Sequence, residues 1–293
     1  MGYLAGFSVL VLFGIGIYSF GYAVRNSSLL YVLLLECIIG LILILPLILF
    51  IEKISILQIF QNPQNENWIW LSAASITGVV GGNYFSLLNI KTAGEKINSL
   101  LSPAITAFTI LLSYIFLNES LTLLQMLGVL ITIGSVVYFL LMQKNKIDLK
   151  DKWRGFFSGI MTIICISFTV ICSIKGAMHT ITFLHAIWLK LLIALPLILL
   201  AFSFFNKKIE NGSTKSKLYV AIFCGVICQT ILAGYLWFYA SFSIGVSVFQ
   251  IILATFPLFM YAVDVYVLRK SKPSFLFLLM AIIAGVGIGL VVL

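Results

Sequence analysis

A chain of 293 residues, 62% of them hydrophobic and 9% charged, with a mean hydropathy of +1.16, cannot build the surface of a water-soluble domain, where about a quarter of residues are charged. Its 18 Lys and Arg against 9 Asp and Glu give a net charge of +9. The basic residues nevertheless sit in short connections without the interleaved aromatic residues that stack bases, which argues against nucleic-acid binding.

In chain order, apolar runs predict membrane helices over 3–22, 29–51, 68–88, 97–117, 121–142, 155–175, 181–205, 217–240, 244–268 and 274–293. Each run is about twenty residues long, enough to cross some 30 Å of hydrocarbon. The runs lack two-residue alternation, and in lipid a helix satisfies its own backbone, so strands are excluded. The expected fold class is an all-α integral membrane protein of ten transmembrane helices, with the lipid bilayer as solvent and no connection long enough for a soluble domain. The first run carries Gly14, Gly16 and Gly21 without a basic segment ahead of it, and reads as the first span rather than as a signal peptide. No G-x-x-x-x-G-K-[ST] loop occurs, which excludes an ATP-driven machine within this chain. Cys37, Cys165, Cys172, Cys224 and Cys228 all fall inside predicted spans, where a thiol acts as a small apolar residue. With His179 and His185 as the only histidines, no disulfide framework, metal site or cofactor is expected.

The two halves repeat. Gly2 and Gly6 align with Gly155 and Gly159, Pro46 with Pro196, Tyr84 and Gly94 with Tyr235 and Gly245, and Pro103 with Pro257, at offsets between 150 and 154. A nearly constant offset over landmarks in order marks a duplication, here 1–145 and 153–293. Five spans per half is an odd number, so the second half must enter the bilayer the other way. Inverted repeats suit alternating access around a central site. No nucleophile with a base and no acidic or His-rich cluster points to a membrane enzyme.

The stretch Ala93–Gly134, through Pro103, Glu119, Leu121, Thr122, Gln125 and Gly128, resembles the EamA pattern of the drug/metabolite transporter superfamily. Residues 234–257, GYLWFYASFSIGVSVFQIILATFP, resemble it again, and Pro273 stands where the family carries an acidic residue. The resemblance implies secondary transport or exchange of small metabolites. It also implies a cavity lined by the first, third, fourth, sixth, eighth and ninth spans, with the fifth span of each half peripheral.

Charges deep in a span cost about 2.5–3.5 kcal/mol on insertion scales and usually face the bundle interior or water. Glu36 and Lys190 are the two that lie mid-span, on equivalent helices of the halves. They read either as binders of a cationic group or proton and of a carboxylate, respectively, or as a buried pair neutralising each other. Asn83 and Tyr84 in the third span and Tyr235 and Trp237 in the eighth form a candidate aromatic and amide wall for an ammonium or a flat apolar group. Asn98 and Gln250, near-equivalent in the repeat, are candidates for substrate contact and equally for interhelical hydrogen bonds. Asp264 reads as an interfacial charge near Arg269. Gly2-x-x-x-Gly6, Gly155-x-x-x-Gly159, Gly78-x-x-x-Gly82 and Gly285-x-x-x-Gly289 read as close-packing motifs.

Of the 18 Lys and Arg, all but Lys53, Lys175 and Lys190 lie in the odd-numbered connections, including Lys144, Lys146, Lys150, Lys152 and Arg154 in the central one. The positive-inside bias puts those connections in the cytoplasm and both termini outside, opposite to the usual drawing of the family. The expectation is a gradient-driven transporter or exchanger of a small-molecule substrate (amino acid, amine or related compound) in a bacterial cytoplasmic membrane. A proton or a counter-substrate is the coupling partner to be distinguished, a homodimer is left open, and a passive channel-like pore is the alternative.

Overall fold

The computed structural model describes residues 1–142, 152–178, 181–205, 215–267, 269 and 275–292, and among these there is no strand. Lys144, Lys146, Lys150, His179 and Pro273 lie outside the described residues. The helices are α1 (Gly2–Arg25), α2 (Leu29–Phe50), α3 (Ile56–Gln61), α4 (Asn65–Ala93), α5 (Ile97–Leu117), α6 (Leu123–Met142), α7 (Lys152–Gly176), α8 (Phe183–Phe205), α9 (Ser216–Ile244), α10 (Val246–Val267) and α11 (Phe275–Val292). Eight of them (α1, α2, α4, α5, α7, α8, α9 and α10) are long and apolar enough to cross a membrane, while α6 and α11 carry shorter apolar stretches, Leu123–Ser135 and Leu278–Leu290. Short α3, in the connection after α2, is not foreseen by hydropathy. It starts on a capping box, in which Ser55 accepts from the Gln58 amide and the Gln58 side chain accepts from the Ser55 amide.

Local chemistry punctuates the long helices in matched places. Gly94 (φ +95°) ends α4 and Gly245 (φ +83°) ends α9, each directly ahead of the next helix. Only glycine takes that backbone conformation without a steric penalty. α5 breaks at Leu100–Leu101 and α10 at Thr255, with Pro103 and Pro257 in the first turn of the segment that resumes. Proline is tolerated there because its missing N–H would have no partner anyway. In α4 the backbone widens to i→i+5 bonding over Ser75–Gly82, and in α9 over Val226–Ala233. These two widened segments start and finish 151 residues apart, so they repeat along with the glycines.

The packing interleaves the halves. α1 packs against α9, whereas its counterpart α7 packs against α4 and α5. α2 and α8 lie side by side and antiparallel, as Tyr31 meets the Phe202 ring, Gly40 meets Leu191, and the Trp188 indole donates to Leu41 O at 3.2 Å. α6 and α11 pack on one another, with Gly287 set against Thr132 and the Gly128 carbonyl. On the face where α4 ends, Arg25 pairs with Glu95. On the face where α9 ends, Glu119 accepts from the amides of Val246 (2.8 Å) and Ser247 (2.9 Å) and from Ser247 Oγ (2.7 Å), capping α10 from the other half. Thr182 donates to Glu52 on that same face, where burial raises the Glu52 carboxyl and the bonds from Thr182 and the Leu184 amide oppose the rise.

Glycine sets the closest approaches. A Cβ at Gly16 would run into both the Cβ and the amide of Gln229 on α9. Gly16→Ala is therefore expected to destabilise the protein by about 1–3 kcal/mol, the usual cost of overpacking. The check is the thermal midpoint of purified protein beside Gly285→Ala, where a Cβ meets nothing within 4 Å.

Candidate functional site

Between the helices lies a cavity of about 290 Å³. Side chains of α1, α2, α4, α5, α7, α8, α9 and α10 line it, and none comes from α6 or α11. The fifth helix of each half is thus peripheral, as the resemblance implies, but α2 and α8 join the wall as well. Each contributes its charged residue.

Glu36 is 4% exposed and lines this cavity. Its carboxylate accepts from Thr230 Oγ1 at 2.9 Å and from Asn83 Nδ2 at 3.2 Å. Thr230 lies within the widened segment of α9, and Asn83 directly follows that of α4. One carboxylate is therefore held by one donor from each half. Lys190 lines the same cavity. Its ammonium donates to Ser173 Oγ at 3.1 Å and sits 5.0 Å from the centre of the Phe238 ring, within cation–π range.

Glu36 and Lys190 form no ion pair with each other: the carboxylate is held by Thr230 and Asn83, and the ammonium by Ser173. The reading of the two as mutual partners is corrected by the direction of their helices. Each residue lies seven positions into its helix, and because α2 and α8 run antiparallel, equal positions along the chain fall at different depths.

Asn98 and Gln250 also line the cavity. Asn98 accepts from Ser86 Oγ at 3.2 Å, and the backbone of Gln250 accepts from Thr106 Oγ1 at 2.9 Å. Trp237 lines it too, edge-on to Phe238 and Phe249. Tyr84 and Tyr235 do not. On α4 the lining residues beyond the widened segment are Asn83, Ser86, Leu87 and Ile90, a helical stripe that leaves Tyr84 about 100° away, packed on Phe85. On α9 the stripe beyond the widened segment is Gly234, Trp237 and Phe238, which turns Tyr235 outward onto Phe183 at 40% exposure. Asp264 is buried and accepts from Tyr18 OH at 2.7 Å instead of reaching Arg269.

Sequence reasoning misses Thr230 and Ser173. Small hydroxyls recur throughout the spans, and nothing in the sequence separates those that face a charge from those that face a neighbouring backbone.

The EamA-like transporter family pattern matches this chain twice, over residues 1–141 and 153–293. The chain belongs to the EamA-like transporter family and is a multi-pass membrane protein. It is similar to Crt homolog 2 of Dictyostelium discoideum, at 40% identity over 75 residues, which is 25% of this chain and 15% of that protein's length. The fold is similar to that of a protein solved by crystallography, with a TM-score of 0.74 at 17% identity over 99% of this chain and 96% of the other.

Proposed function

We propose that this protein is a secondary carrier, a transporter or exchanger, that moves a small polar or amphiphilic metabolite bearing an amine by alternating access. On this reading α6 and α11 complete ten spans, and the halves 1–145 and 153–293 are inverted five-helix repeats in the cytoplasmic membrane of a bacterium, with the basic connections inside. The observation that carries the reading is the shared grip on Glu36. A buried carboxylate bonded by Asn83 of one half and Thr230 of the other changes its surroundings whenever the halves move against each other, which is what a carrier's site must do. The matched wide segments of α4 and α9 flank that grip and favour the same reading, since such bulges often accompany functional sites.

The test uses purified protein in liposomes. A carrier gives saturable uptake and counterflow, in which unlabelled solute inside accelerates entry of labelled solute; a pore gives neither, and its absence across a panel of amino acids and amines would sink the proposal. Varying pH and internal solute separates a proton from a counter-substrate as the driving partner. Lys190→Ala is expected to weaken solutes that carry a carboxylate and to leave monoamines unaffected. Because no ion pair joins the two residues, the effects of Lys190→Ala and Glu36→Gln on a monoamine should add within about 0.5 kcal/mol. Rescue in the double variant would mean that they neutralise one another.

A further inference from the structure

We infer that the substrate is a linear zwitterion whose ammonium and carboxylate are separated by several bonds, as in an ω-amino acid, and not an α-amino acid. The inference rests on the carrier reading above and adds the spacing of the two charges.

The depth of each charge can be read from the helices packed around it. Along α9, Thr230 holds the Glu36 carboxylate and Phe238 lies against the Lys190 ammonium. Those eight residues correspond to about 11 Å of helix, with allowance for the shorter rise of the widened turn. The α4–α7 pair gives a second reading. Leu71 meets Gly176, Gly78 meets Thr169 and Gly82 meets Ile166, so Asn83 is level with residue 164 of α7. Ser173, which holds Lys190, is nine residues further, or about 13 Å. Along α2 and α8 the two backbones differ in depth by five residues, about 8 Å, and the Lys190 stem carries its charge further from Glu36.

The two charged ends thus stand about 11–13 Å apart along the bundle. A charge-assisted contact of about 3 Å at each end leaves some 5–7 Å between the charges of a bridging solute. In an α-amino acid the nitrogen and carboxylate carbon are two bonds apart, about 2.5 Å, which reaches one end only. An extended chain advances about 1.25 Å per bond, so the span corresponds to four to six bonds, from 4-aminobutyrate to 6-aminohexanoate. The lining is mostly apolar, with Phe13, Ile17, Leu253 and Trp237 beside hydroxyls such as that of Thr169, and suits a methylene stem.

The experiment is a length series on wild-type protein: glycine, 4-aminobutyrate, 6-aminohexanoate and 8-aminooctanoate, with hexylamine and hexanoate as single-charge controls. Affinity is read from thermal stabilisation and transport from counterflow. The four- to six-bond zwitterions are expected to bind at least tenfold more tightly than glycine and tenfold more tightly than either control, with a fall at 8-aminooctanoate. In Glu36→Gln the preference over hexanoate should vanish, and in Lys190→Gln the preference over hexylamine. Equal or tighter binding of glycine or alanine, or no dependence on length, while some solute shows counterflow, overturns the spacing and leaves the carrier standing. Counterflow of none of the amines, carboxylates, α-amino acids or ω-amino acids overturns both. The wild-type series decides the matter even if a variant does not fold.

Discussion

Glu36→Gln is expected to lower the transport rate at limiting substrate by about ten- to a hundredfold while leaving the protein folded. Glutamine has nearly the same shape, and its amide oxygen can still accept from Thr230 and Asn83, which stand 2.9 and 3.2 Å from the carboxylate. What disappears is the charge that, on the carrier reading, meets the substrate's amine. Hydrogen bonds to charged groups contribute about 1.5–3 kcal/mol, and about 1.4 kcal/mol is a factor of ten. Initial uptake rates in liposomes, normalised to reconstituted protein, measure the loss, while elution profile and thermal midpoint report the fold. Uptake equal to wild type would reduce Glu36 to a residue that braces the two halves. Glu36→Ala is a poorer test, because it leaves the half-buried Asn83 and Thr230 donors without their acceptor and lowers stability by itself.

Glu119→Ala is expected to lower stability by about 2–4 kcal/mol although it lies outside the cavity. The carboxylate takes three bonds, from the amides of Val246 and Ser247 and from the Ser247 hydroxyl. Those amides belong to the first turn of α10, where backbone N–H groups have no partner within the helix and the helix dipole favours a negative charge. Ser247 also bonds Ser113 of α5 at 2.7 Å, so the cap and a hydroxyl pair hold the same corner. Glu119→Gln keeps one acceptor and should lose less than half as much. Thermal unfolding of the three proteins in one detergent gives the comparison, and an Ala variant that melts with wild type would show that the cap adds nothing. The turn bearing Glu119 is also what first signals the family in the sequence. Its role is to tie one half to the other rather than to touch substrate.

Hydropathy and the repeat make most of the architecture legible. The expected spans agree with the helices to within a few residues, and the offset of 151 between Gly94 and Gly245 returns in their shared positive φ. The widened segments were hidden because SITGVVGG and VICQTILA have nothing obvious in common, and i→i+5 bonding has no composition of its own. α3 was hidden because six residues are too few for periodicity to speak. Within the site, chemistry was easier to read than direction. Six of the eight candidate residues meet at one cavity: Glu36, Asn83, Asn98, Lys190, Trp237 and Gln250. Tyr84 and Tyr235 fall outside it because a single residue turns a helix by about 100°, finer than any estimate of where a span begins. The depth of Glu36 against Lys190 depends on how α2 lies along α8, a relation between distant segments that the sequence encodes nowhere locally.

The two faces of the protein carry unlike contacts between helices, and on the carrier reading this bears on kinetics. Arg25 is 53% exposed where it pairs with Glu95, so dissolved ions, with a screening length of about 8 Å at physiological strength, weaken that contact. The Glu119 cap binds backbone amides fixed in a helix end, and salt affects it much less. Raising ionic strength should therefore speed opening at one mouth and leave the other nearly unchanged. A fold built from two copies of one unit would then run its forward and return strokes at rates that the surrounding medium sets unequally.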